Sequence, residues 1–92
     1  MARVLISEAS AELGRKWRDA LVRQGHDVMV AADGRAAVSA CQDSPFEVVI
    51  TDMSLPDVNG ILLSGQISTL LPDVHIIGVS EVLTQTMIDE DL

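Results

Sequence analysis

Val48-Val49-Ile50-Thr51-Asp52-Met53-Ser54-Leu55-Pro56-Asp57-Val58-Asn59-Gly60 decides how the chain folds. A β-branched apolar run ends in an acid, and the loop after it closes on Asn-Gly. Such a run suits a strand covered on both faces, and the acid at its end is delivered to the C-terminal edge of a parallel sheet. Open α/β sheets place their ligands at that edge.

Working outward, strands and helices alternate along the whole chain. Val4-Leu5-Ile6 is β-prone, and the following Ser7-Glu8-Ala9-Ser10 can cap a helix. Leu13, Trp17, Ala20 and Leu21 then share one helical face, the core side, with Arg15, Lys16, Asp19 and Arg23 outside. Gly25 stands where a helix-ending glycine belongs, before a second strand at Asp27-Val28-Met29-Val30. Asp33 can cap a short helix whose Ala37, Val38 and Cys41 share a face, and Phe46 to Ile50 reads as the third strand. A third helix is expected from Ile61 to Leu71, stopped near Pro72, and a fourth strand from Val74 to Val79. Gly78 weakens that strand slightly or permits close approach of another backbone. The last dozen residues read as the opening of a fourth helix. This alternation predicts an α/β fold, a doubly wound parallel sheet with right-handed crossovers and helices on both faces.

Ninety-two residues suit one small domain, and 48% hydrophobic residues suit a globular one. With one Trp, one Phe and no Tyr, the core must be aliphatic. A net charge of −8 argues against nucleic acid as a ligand of this domain. Five of the six basic residues lie between Arg3 and Arg23, which reads as a solvated helix face. The single Cys41 forbids an internal disulfide and fits a reducing compartment. The apolar start is too short for a signal peptide, and no stretch approaches the ~20 apolar residues of a membrane span. A soluble, cytoplasmic protein is expected.

The segment from Arg3 to Ser80 resembles the receiver domains of bacterial response regulators. The resemblance implies a flavodoxin-like sheet of strand order 2-1-3-4, with the family's fifth strand and last helix missing from residues 1–92. It implies that Asp52 accepts a phosphoryl group and that Ser80, ending the fourth strand, hydrogen-bonds that group. It also implies a Mg²⁺ site made of Glu8, Asp52 and the backbone carbonyl of Ser54. Leu55-Pro56 and Asn59-Gly60 resemble the family's Leu-Pro-x-x-Asp-Gly loop, with Asn for Asp. Three departures stand beside these matches. Ala9 replaces the second acid of the metal-binding pair, Glu81 stands where a small residue is usual, and no lysine follows Ser80. The chain is thus either a fragment or a shortened, altered member of the family.

An aspartate attacks a phosphate-bearing donor poorly because both are anionic, and a magnesium ion offsets that repulsion. With Ala9 in place of an acid, weaker Mg²⁺ binding is expected. The resemblance points to phosphorelay signalling, with a sensor histidine kinase or phosphotransfer protein as partner. The alternative is a pseudo-receiver, a protein-interaction module that needs no phosphate. An enzyme in its own right is not expected: there is no Gly-rich phosphate loop, no G-x-G-x-x-G and no Ser-His or Cys-His pair that can be placed on one site. Plainer readings compete for single residues. Asp52 also reads as a strand-end acid, Glu8 as an acid favoured by a helix dipole, Ser80 as a helix cap and Glu81 as a solvated first-turn acid. Without a fifth strand the apolar fourth is an edge, so self-association through it or through the third helix is expected.

Overall fold

The computed structural model describes residues 1–80, and expectations placed on Glu81 or on the final helix fall outside them. Within those residues strands β1 (Arg3–Ser7), β2 (Asp27–Ala31), β3 (Val48–Asp52) and β4 (His75–Val79) alternate with helices α1 (Ala11–Arg23), α2 (Gly34–Asp43) and α3 (Gly60–Leu70). All pairings are parallel, and the strand order is β2-β1-β3-β4, as expected.

Each helix starts and stops where local chemistry dictates. The Ser10 hydroxyl accepts from the Leu13 N–H at 3.2 Å, the Asp33 carboxylate from Ala36 N–H at 2.8 Å, and the Asn59 side chain from Leu62 N–H at 2.9 Å. These side chains satisfy donors that a helix leaves unpaired at its first turn. Gly25 follows α1 with φ of 91°, a left-handed conformation that glycine adopts without penalty.

Register sorts the strand residues onto two faces. Leu5, Met29, Val49 and Ile76 point one way; Ile6, Val30, Ile50 and Ile77 point the other. Helices α2 and α3 cover the first face, where Leu5, Val49, Ala37, Ala40, Cys41, Leu63 and Ile67 form the core with Phe46. Helix α1 covers the second: a Cβ on Gly14 would lie 3.0 Å from Val30 Cγ1.

Three details differ from the sequence reading. Strand β3 starts at Val48, two residues later than expected, with Phe46 buried just ahead of it. Trp17 is half-buried rather than core, while Leu13 and Ala20 are exposed. Among the described residues α1 lies alone on its face of the sheet, and a single helix does not close over it, so Ile77 stays 52% exposed. The atom that comes close to Gly78 belongs to a side chain: Met53 Sδ lies 2.8 Å from where a Cβ would be.

Helix α3 lets burial be tested at adjacent positions. Leu63 is fully buried and Leu62 is 60% exposed. Leu63→Ala is expected to cost about 2–5 kcal/mol in urea unfolding, and Leu62→Ala no more than about 0.5 kcal/mol. Equal losses would mean that α3 does not lie on the sheet as described.

Candidate functional site

Two carboxylates meet at the C-terminal edge of the sheet because β1 and β3 run side by side in register. Ser7 pairs with Thr51, so Glu8 and Asp52 leave the sheet at the same height. The Glu8 N–H donates to the Ala31 carbonyl at 2.9 Å and extends the β1–β2 ladder by one rung. The Glu8 side chain is only 6% exposed, and its Oε2 accepts from the Ser10 N–H at 3.0 Å. It faces Asp52 closely enough for the two charges to act on each other. Burial raises the affinity of Glu8 for its proton, and the charge of Asp52 raises it further, against the opposing Ser10 N–H. The backbone at the α1 cap thus holds the Glu8 carboxylate while it faces Asp52.

The loop after Asp52 is built tightly. Asp52 Oδ1 accepts from the Ser54 N–H at 3.0 Å, while Met53 N–H donates to Val79 O and Gly60 N–H to Met53 O, each at 2.9 Å. Ser54 lies across from Asn59, and the bond that closes this turn goes to the Met53 carbonyl rather than to that of Ser54. Gly60 and Gly78 leave room for Met53: added Cβ atoms would lie 2.7 and 2.8 Å from its Sδ. Ser80 follows Val79, the residue in register with Asp52, and is half-buried at the same edge of the sheet. Ala9 is exposed.

Glu8, Asp52 and Ser54 are thus brought to one place, with Ser80 on the adjacent strand end. The two carboxylates, one buried at a cost while charged, could hold a hard divalent cation. A cation between them would relieve both the repulsion and the burial cost. The set is short of one acid, since no group of three or more His, Cys, Asp and Glu gathers among the described residues. Magnesium commonly completes its shell with water.

Other reactive side chains lie elsewhere. Burial raises the Cys41 thiol above its usual range, which keeps it unreactive. His26 Nδ1 accepts from the Ala2 N–H at 3.0 Å, and His75 is exposed on the β4 edge. The sequence reading missed Asp57, whose carboxylate accepts from the N–H groups of Gly34 and Arg35 at 2.8 and 3.0 Å. The one local signal for it was an acid in a loop beside Val58; its partners lie more than twenty residues away.

Comparison with known proteins bears on the same residues. The sequence profile of the response regulator receiver domain matches residues 4–91. The chain is 29% identical over 80 residues to the response regulator receiver protein CpdR of Brucella abortus, covering 87% of this chain and 67% of that protein. It is 35% identical over 65 residues to the transcriptional regulatory protein KdpE of Mycobacterium tuberculosis, covering 71% of this chain and 29% of KdpE. Among solved structures, the response regulator TrrA of Thermotoga maritima, in complex with Mg²⁺-BeF, superposes with a TM-score of 0.81 at 22% identity over 87% of this chain and 70% of its own. Chemotaxis protein CheY4 of Vibrio cholerae gives 0.81 at 26% identity over 92% and 76%. Residues 1–80 therefore share the fold of those proteins.

The Glu8–Asp52 pair makes stability depend on pH. A folded-state proton affinity raised above that of the unfolded chain stabilises the protein while Glu8 is protonated. That contribution is lost as pH rises from the ordinary carboxylate value through the raised one. Without divalent ions, Glu8→Gln is expected to melt higher than the parent at pH 7, with the difference shrinking as pH falls toward 4.5 and gone below it. Thermal unfolding across that range checks it; a variant less stable at pH 7 would mean that the pair is not strained.

Proposed function

The chain belongs to the response regulator receiver domain family, and from that premise we propose that Asp52 accepts a phosphoryl group in a Mg²⁺-assisted step of two-component or phosphorelay signalling. The observation that carries this reading is the meeting of the buried Glu8 with Asp52 at the C-terminal edge of the parallel sheet. A like-charged pair held at a ligand-binding edge is an arrangement that a cation completes. That TrrA binds Mg²⁺-BeF supports the same assignment.

The bound cation supplies charge neutralisation between nucleophile and donor. Glu8, Asp52 and the Ser54 carbonyl would hold it, with one ligand fewer because of Ala9. The Ser54 N–H donates to Asp52 Oδ1 and fixes the orientation of the carboxylate. An Asp52 carboxylate oxygen attacks the phosphorus of the donor; the new P–O bond forms as the bond to the leaving group breaks, and the electron pair departs with that group. Ser80, at the neighbouring strand end, donates a hydrogen bond to the transferred group. The role is regulatory, with the domain assisting only its own modification. The donor is a histidine kinase, a phosphotransfer protein or a small phosphodonor.

A second copy is a further partner in this reading. Among the described residues β4 pairs with β3 on one side only, and its Ile77 is 52% exposed. Helix α3 carries no charged residue and exposes Ile61 at 74%. Both surfaces suit association between chains that elsewhere repel.

Intact-mass spectrometry after incubation with acetyl phosphate tests the main reading. A phosphoryl adduct is expected with Mg²⁺ and none without it, and Asp52→Ala should abolish it. Ala9→Asp restores an acid to the site and is expected to lower the Mg²⁺ concentration needed by about tenfold or more, the scale of one charge-assisted contact. A folded protein that takes no phosphoryl group in either form would assign it instead to phosphate-independent protein interaction. Sedimentation at tens of micromolar is expected to show dimers that Ile77→Lys disrupts; a monomeric parent would remove the second copy from the list of partners.

A further inference from the structure

The first helical N–H groups of α2, on Gly34, Arg35 and Ala36, lie ahead of any intrahelical acceptor. All three have partners. Ala36 N–H donates to Asp33 Oδ1 at 2.8 Å, and the regular helical bonds begin with Ala37 N–H to the Asp33 carbonyl at 3.1 Å. Gly34 N–H donates to Asp57 Oδ1 at 2.8 Å and Arg35 N–H to Asp57 Oδ2 at 3.0 Å. The side chain of the N-cap Asp33 thus serves one of the three donors. A residue from the loop after Asp52, remote in sequence, serves the other two with both oxygens of one carboxylate. These two N–H groups, followed by the charge of Arg35, hold the Asp57 carboxyl below its usual range.

The seat is shaped for that contact. A Cβ on Gly34 would lie 2.2 Å from Val58 Cγ1 and 3.2 Å from Asp57 Oδ1, so only a residue without a side chain lets the loop come this close. Leu55, 9% exposed, fastens the same loop to the core. The contact also closes a ring of bonded backbone. Glu8 N–H is held by Ala31 O at the end of β2, three residues lead from there to Gly34, and Gly34 is held by Asp57. Five residues back from Asp57 is Asp52, which faces Glu8. The spacing of the two acids is therefore fixed from both sides.

We infer that Asp57 is a positioning residue that ties the loop bearing Asp52 and Ser54 to the first turn of α2, so that the candidate metal site and the start of α2 move together. It touches neither the cation nor the phosphoryl group. The inference rests on the reading of Glu8, Asp52 and Ser54 as a metal site, and its test separates the two.

Backbone amide resonances of the ¹⁵N-labelled chain provide that test. Without metal, Asp57→Ala is expected to speed hydrogen exchange at Gly34 and Arg35 by about tenfold or more. Asp57→Asn, which keeps one acceptor oxygen, is expected to restore protection at one of the two. Amides in β1 and β3 report that each variant is folded. Under a Mg²⁺ titration of the parent, the Ser54 and Gly34 resonances are expected to shift with one midpoint. In Asp57→Ala, Ser54 still shifts, at about tenfold more metal, and Gly34 no longer follows. Unchanged exchange in Asp57→Ala would overturn the inference, as would a parent in which Ser54 responds and Gly34 does not. If neither amide responds in the parent, the metal-site reading fails and the exchange rates alone decide the clamp.

Discussion

The parallel register of β1 and β3 is the constraint on which the rest depends. With Ser7 level with Thr51, the residues that follow leave the sheet together, and both Glu8 and Asp52 belong to that layer. A one-residue slip would turn Leu5 and Val49 out of the core and aim Asp52 at the opposite face. The packing that buries Leu5, Val49, Leu63 and Ile67 is thus the same force that holds two like charges together. The core outweighs the repulsion because apolar burial contributes about 25 cal/mol per Å² over many side chains, whereas the acids form a single pair.

The site also departs from the local rules that the rest of the chain obeys. Caps, the glycine stop and core faces agree with one another, as they do in a sequence that folds to one state. At the sheet edge a glutamate is buried beside an aspartate, and strand position 78 lacks a side chain so that Met53 can lie across it. Conflicts of that kind gather where a protein binds or reacts.

Much of this was legible in the sequence because it is local. Ser10, Asp33, Gly25 and the apolar run into Asp52 each announce their structure within a few residues. Strand order and the site residues followed from a family likeness carried by Asp52, Leu55-Pro56, Asn59-Gly60 and Ser80, and the observed order agrees with it. What was not legible depends on distant partners. Asp57 looks like any loop acid until Gly34, 23 residues earlier, is brought beneath it. Trp17 has the right helical phase for a core residue, but its burial depends on how completely α1 covers the sheet. The start of β3 was misplaced because Phe46 is apolar like the strand after it, and only the ladder tells them apart.

The strand order also sets which elements each part of the site requires. Among the described residues β2 and β3 flank β1, and β4 joins the sheet through β3 alone. Glu8 and Asp52 therefore need only β1 and β3 in register, whereas Ser80 reaches their edge only if β4 also pairs with β3.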